Sequence, residues 1–163
     1  MPTSVLVTGG AGYLGSVLCQ HLLQAGYKVT VLDSLVHEEQ SLFHLCSNPN
    51  FEFVYGDVRD EQIMRQLLKT ADAVIPLAAV VGASACDHDP YTATSVNLEA
   101  IQMLLRLRSP RQLIIYPTTN SGYGAKSGNI HCTEETPLEP ISLYGKTKVQ
   151  AEQEILEAAH TIT

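Results

Sequence analysis

No two of the four cysteines, Cys19, Cys46, Cys86 and Cys132, stand in a Cys-x-x-Cys pair. The six histidines likewise show no metal-ligand spacing, so a metal site is not expected. Widely scattered cysteines are expected to be reduced and to serve packing, in a cytoplasmic protein. An uninterrupted apolar run of membrane-spanning length is also missing. Met1-Pro2-Thr3-Ser4 carries no basic region, and the apolar run behind it reads as a strand, so a secretory signal is not expected. Basic residues are scarce, with 10 Lys and Arg against 17 Asp and Glu and a formal net charge of −7. Without a basic stripe a nucleic-acid backbone meets no counter-charge, which argues against that partner. The Gly-x-x-x-x-Gly-Lys-Ser/Thr pattern is absent, which removes a P-loop kinase or GTPase. There is no repeat and no low-complexity tract. The 163 residues, 45% hydrophobic and 17% charged, amount to one ordinary soluble domain.

The informative stretch is the first thirty-odd residues. An apolar run, Ser4 to Thr8, is followed by Gly9, Gly10, Ala11, Gly12, Tyr13, Leu14 and Gly15. An apolar-periodic segment then runs to Gly26, and a second apolar run from Val29 to Leu32 leads to Asp33. The order is strand, glycine turn, helix, strand, acid. Gly9 can take the dihedrals of a sharp turn, Gly12 lets a pyrophosphate approach the helix N-terminus, and Gly15 lets the helix pack closely on the strand. Free N–H groups and the positive helix end supply anion binding without a lysine. A carboxylate at Asp33 suits a ribose 2′-hydroxyl and repels a 2′-phosphate, so NAD is expected over NADP.

The remaining pattern alternates in the same way. A first helix is expected over about 12–25, with Leu14, Val17, Leu18, Leu22 and Leu23 as its apolar face. Strands are expected at 28–32, 51–55, 72–77 and 112–116. Between them fall a short helix before Asn48-Pro49, a helix capped by Asp60, a loop over 78–90 and a helix over 91–107. A long polar stretch, 117–141, precedes a closing helix over 142–159. Such alternation predicts an α/β fold, a Rossmann-type doubly wound parallel sheet of order 3-2-1-4-5, with ligands beyond the C-terminal strand ends.

Tyr144 and Lys148, four apart in the closing helix, share one face. A phenol, with a reference pKa of about 10, is a weak base at neutral pH. A nearby ammonium favours the phenolate, and so does a positively charged nicotinamide. Thr119, just past the fifth strand, can bond a substrate oxygen while Tyr144 takes the proton.

The sequence here resembles the extended short-chain dehydrogenase/reductases, and among them the NAD-dependent nucleotide-sugar epimerases and dehydratases. The likeness is carried by Thr8-Gly9-Gly10-Ala11-Gly12-Tyr13-Leu14-Gly15, Asp33, Gly56-Asp57-Val58, Leu77-Ala78-Ala79, Asn97, Thr119-Asn120-Ser121-Gly122-Tyr123-Gly124 and Tyr144-Gly145-Lys146-Thr147-Lys148. It implies a cofactor cradle of Gly9, Gly12, Tyr13, Leu14, Gly15 and Asp33. It sets Asp57 and Val58 beside the adenine, Leu77, Ala78 and Ala79 along the cofactor path, and Asn97 steadying the loop. Tyr144 is implied as base, Lys148 as ribose and pKa partner, and Thr119 as hydroxyl donor. An epimerase of this group takes a hydride from a sugar carbon, usually C4, onto NAD and returns it to the other face of a transient ketose.

Two departures bear on the activity. Dehydratases of the group carry Asp-Glu directly after the Thr, where this sequence has Asn120 and Ser121. Neither supplies the acid or base of hydroxyl elimination, which favours an epimerase or a simple reductase. Glu134 and Glu135 read as a solvated loop face, and Cys86 and His88 are candidates to touch a sugar. The resemblance also implies that another strand or two and a smaller C-terminal substrate domain follow Thr163. The chain is thus expected to be an incomplete NAD-binding domain, either a fragment or one whose missing wall a second chain supplies. A homodimer through 91–107 and 142–159 is implied as well. Three readings stand: a nucleotide-sugar epimerase or its cofactor-binding portion, a 4,6-dehydratase or reductase, and a non-catalytic NAD-binding module.

Overall fold

The computed structural model describes residues 3–37, 40–125 and 131–158, with the backbone alone of 161–162. Among the described residues six strands form one parallel sheet: β1 (Ser4–Thr8), β2 (Lys28–Asp33), β3 (Phe51–Tyr55), β4 (Ala73–Pro76), β5 (Leu113–Ile115) and β6 (Thr161–Ile162). Their order is β3-β2-β1-β4-β5-β6. The expected 3-2-1-4-5 arrangement is present, and a two-residue strand, not foreseen within this chain, extends it beside β5. Val5 lies between Val29 and Ala73 in register, which puts the ends of β1 and β4 together at the sheet's carboxyl edge. Central strands covered on both faces read as near-continuous apolar runs, and Val7, Val29, Val31, Leu32 and Val74 are wholly enclosed.

The helices are α1 (Tyr13–Gln24), α2 (Glu61–Leu68), α3 (Ala83–His88), α4 (Pro90–Thr94), α5 (Ala100–Leu107) and α6 (Leu143–Leu156). One apolar layer sets Cys19 and Leu23 of α1 against β1 and β2, and the other sets α2, α5 and α6 against the opposite sheet face. The Asp60 carboxylate accepts from the Gln62 and Ile63 N–H groups, at 2.8 and 3.1 Å, and so starts α2 as expected.

Four local expectations need correction. Leu14 and Val17 do not belong to the buried face of α1, being 56% and 52% exposed. The close approach at Gly15 fixes the helix rotation, so Gly15, Cys19 and Leu23 point inward instead, one turn apart. The 78–90 segment is not all loop, since it contains α3. The 91–107 helix is interrupted by a π-helical turn, Ser95–Glu99, between α4 and α5. The segment before Asn48-Pro49 forms only a 3-10 turn, Phe43–Leu45. The expected end of the last helix at Ala159 lies outside the described residues.

Candidate functional site

The glycine turn is shaped by three contacts that leave no room for a side chain. Gly9 has φ +69°, and a Cβ there meets the Ala78 backbone nitrogen at 2.5 Å. A Cβ on Gly10 meets the Val31 side chain at 2.7 Å. One on Gly15 meets Gly10 Cα and the Gly9 carbonyl, each at 2.6 Å. Gly15 therefore brings α1 onto the glycine turn itself rather than onto the strand. Gly12 is different, because its added Cβ meets only the Gly9 carbonyl, at 3.3 Å. As the N-cap of α1 it brings no side-chain cap, so the first turn presents its N–H groups uncapped. Tyr13 and Leu14 in that turn are exposed.

Asp33, at the end of β2, is tied to this turn. Its Oδ2 accepts from the Ala11 N–H at 2.9 Å and its Oδ1 from the Leu35 N–H at 2.8 Å. Leu35 adopts φ 51°, the one non-glycine in the left-handed region among the described residues. Each carboxylate oxygen keeps a further lone pair for a hydroxyl donor.

Past β3, the Asp57 carboxylate meets the guanidinium of Arg59, Oδ2 to Nη2 at 2.6 Å and Oδ1 to Nε at 3.0 Å. The Arg59 hydrogen bond holds the Asp57 carboxyl below its ordinary range. Arg59 also reaches Ser95 Oγ at 3.2 Å, tying this corner to the π turn. Val58 is half-buried against the core beneath.

Leu77, Ala78 and Ala79 follow β4, all half-buried. Leu77 N–H donates to the Thr8 carbonyl at 2.9 Å, which keeps this segment beside the glycine turn. Asn97, in the π turn and 2% exposed, clamps the same segment. Its Oδ1 accepts from the Val80 N–H at 2.8 Å and its Nδ2 donates to the Val80 carbonyl at 2.9 Å. A π turn is a local distortion often found at functional sites, and here it carries the side chain that grips the loop. Cys86 is fully enclosed, with Sγ directed at the Val80 carbonyl. It therefore does not face a ligand, contrary to the expectation that it touches a sugar; His88 is exposed. Burial pushes the Cys86 thiol up, and that of Cys19 to about 12. Among the described residues no three His, Cys, Asp or Glu side chains could hold a metal ion.

The fifth strand and the last helix assemble the other half of the edge. Thr119 caps a 3-10 turn, Asn120–Tyr123, its Oγ1 accepting from the Ser121 N–H at 3.2 Å, and among the described residues its hydroxyl hydrogen has no acceptor. That turn and α6 dock through glycines. A Cβ on Gly122 meets Val149 at 2.9 Å, and one on Gly145 meets the Ser121 carbonyl at 2.8 Å. Ser142 caps α6, accepting from the Gly145 N–H at 3.1 Å. Tyr144 is half-buried in the first turn, and Lys148 is 5% exposed one turn on. Burial pulls the Lys148 ammonium down to about 8, against the opposing pull of Glu152.

The sequence reading passed over Tyr116 as a mere strand end. It is 2% exposed, and Lys148 Nζ lies 3.8 Å from its ring centre. An aromatic residue at the carboxyl end of a strand, just before Pro117, was the available signal. Arg59 was missed too, although a base two residues after Asp57 is within reach of it.

A family model described as the NAD dependent epimerase/dehydratase family matches residues 5–162. The chain is 36% identical over 169 residues to a probable UDP-arabinose 4-epimerase of Arabidopsis thaliana, covering 95% of this chain and 40% of that protein. Among solved structures it is similar to a UDP-glucuronic acid 4-epimerase from Bacillus cereus in complex with UDP-glucuronic acid and NAD. That likeness has a TM-score of 0.85 and 30% identity, and covers 95% of this chain and 52% of the other. A dTDP-glucose 4,6-dehydratase from Bacillus anthracis in complex with NAD gives a TM-score of 0.84 at 26% identity, covering 95% and 50%. The chain thus spans half or less of the length of the curated relatives it matches.

Proposed function

The chain belongs to the NAD dependent epimerase/dehydratase family, and from that premise we propose that it forms the NAD-binding domain of a nucleotide-sugar epimerase. The observation that carries this reading is α6 docked through Gly122 and Gly145 onto the turn that begins at Thr119, with Asn120 and Ser121 in place of an acid pair. That turn, Tyr144 and the buried Lys148 make up one side of the carboxyl edge. A domain that grips the nucleotide diphosphate belongs to the same proposal and lies outside this chain.

The residues fit the cofactor. The uncapped first turn of α1 and the open side of Gly12 suit a pyrophosphate, and Gly9, Tyr13, Leu14 and Gly15 complete that cradle. Asp33 has lone pairs to spare for ribose hydroxyls, whereas each Asp57 oxygen already meets two Arg59 donors, one of which an adenine amine beside Val58 would replace. Leu77, Ala78 and Ala79, held by Asn97, border the path between the two halves. The chemistry a bound NAD supplies is reversible acceptance of a hydride from a sugar carbon, usually C4.

The protein groups handle the proton. Tyr144 takes it from the sugar hydroxyl as the general base, with Lys148 one turn on in the same helix as its partner. Thr119 donates its hydroxyl hydrogen to the same sugar oxygen. When the keto sugar is presented by its other face, Tyr144 returns the proton and the epimer forms. Asn120 and Ser121 bring no carboxyl group to expel a hydroxyl, so elimination to a 4-keto-6-deoxy sugar is not expected.

Two further parts of the reading concern assembly and place. The outer sides of α5 and α6 lie together and leave a groove of about 500 Å³ lined by Gln102, Leu105, Arg106, Glu154, Glu157 and Ala158. This surface supports a homodimer through 91–107 and 142–159. Among the described residues no helix is long and apolar enough to cross a membrane, and the proposed location is the cytoplasm.

The test is isomerisation of UDP-, GDP- and CDP-hexoses by the protein from its native source, with deuterium at C4. Epimer that retains the deuterium, with no net consumption of NAD, supports the reading. A 4-keto-6-deoxy product or stoichiometric cofactor consumption selects the dehydratase or reductase instead. Absence of turnover with every sugar, together with NAD binding, selects the non-catalytic module.

A further inference from the structure

Tyr116 plays no part in the chemistry above, yet it sits against its most buried charge. Its hydroxyl is enclosed and, among the described residues, has no hydrogen-bond partner. The Lys148 ammonium, on a residue 5% exposed, forms no ion pair or hydrogen bond among the described residues and lies 3.8 Å from the Tyr116 ring centre. A cation held over an aromatic face is attracted by the ring quadrupole, and the attraction strengthens when water is excluded. A buried ammonium with neither a partner nor such a face would lose its proton or its place.

We propose that Tyr116 is a positioning residue for Lys148. Its ring face seats the ammonium at the carboxyl end of β5, before any ligand arrives, and helps keep it charged. The proposal rests on the reading of Lys148 as the partner of Tyr144. The ring does what an ion pair does elsewhere. The charged group that acts on Lys148 is Glu152, one turn along the same helix. Among the described residues no charged group from the Thr119 turn, the π turn, α3, α4 or α5, all packed against α6, does so. Glu152 accepts the Thr118 hydroxyl at 2.8 Å, which directs it to the strand end rather than onto Nζ. Tyr144 and Glu152 also act on Tyr116, and with its burial they push that phenol well above its ordinary range, so its hydroxyl stays neutral.

The experiment is a pH titration of the Lys148 side chain by NMR in the isotope-labelled 163-residue protein, its signals assigned by their loss in Lys148→Met. The wild-type ε-methylene resonances should be shifted upfield by the ring and titrate with a midpoint near 8. Tyr116→Phe keeps the ring and should keep the upfield shift, with the midpoint within about 0.3 pH unit. Tyr116→Leu removes the ring and should lower the midpoint by about one pH unit, a tenfold change in protonation. An unshifted wild-type resonance overturns the proposal, as does a midpoint that falls equally in Tyr116→Phe. So does a Tyr116→Leu midpoint that stays or rises. If Tyr116→Leu does not fold, the wild-type shift and the phenylalanine variant decide. The titration needs no sugar turnover. An epimerase with an unseated lysine therefore sinks this inference alone, and a seated lysine without epimerisation sinks only the reading above.

Discussion

Replacing Lys148 with methionine removes a buried cation while keeping most of the side-chain volume. Burial lowers the ammonium from its ordinary 10.5 to about 8 in the folded protein. The unfolded chain therefore binds that proton more tightly, and stability rises with pH across the interval between the two values. Below about 8 the penalty is fully present, and above 10.5 it is gone. At about 1.4 kcal/mol per pH unit the interval costs about 3 kcal/mol. That cost already includes the attraction of the Tyr116 ring, which is present at the midpoint of about 8. Lys148→Met should accordingly gain about 3 kcal/mol at pH 7. The gain should shrink steadily as pH rises from 8 towards 10.5. Urea unfolding of both proteins at pH 7 and at higher pH measures it, because other titrating groups cancel in the difference. Equal stability at pH 7, or a gain that ignores pH, refutes the reasoning.

Other substitutions probe the rest of the edge. Gly9→Ala places a Cβ against the Ala78 backbone at a positive φ, and should cost about 2–4 kcal/mol in urea unfolding. Asn97→Leu leaves the half-buried Val80 N–H without its acceptor and the Val80 carbonyl with only the Cys86 thiol. It should cost about 2–4 kcal/mol and raise amide exchange at residues 78–82. Asp33→Asn cannot accept from both Ala11 and Leu35 and carries no charge against a 2′-phosphate. It should weaken NAD binding about tenfold and narrow the preference over NADP, read by calorimetry. Tyr144→Phe should lower epimerisation by the native protein about 100- to 10,000-fold while leaving NAD affinity within a few-fold.

The glycine turn, Asp33 and the Tyr144–Lys148 spacing were legible because each is a local consequence of sequence. A glycine that must turn, an acid at a strand end and two residues one helical turn apart all declare themselves in one reading frame. The strand order followed from alternation and handedness alone. What escaped depended on contacts across the chain. The rotation of α1 is set where Gly15 meets Gly9 and Gly10, so Leu14 and Val17 face outward despite their apolarity. Cys86 looks like a loop thiol in sequence, and only the fold shows it directed at Val80, beside the Asn97 that the resemblance already set to steady that loop. The π turn has no periodicity distinct from the helix around it. Tyr116 reads as one more strand residue until α6 brings Lys148 over its ring.

The central claim, that the glycine turn and Asp33 hold NAD, is tested most directly by titrating NAD and NADP into the 163-residue protein by calorimetry, beside Gly12→Val. The account predicts one NAD per chain, NADP bound at least about tenfold more weakly, and no NAD binding by a folded Gly12→Val. Equal binding of the two cofactors, or NAD affinity untouched by valine at that position, would contradict it.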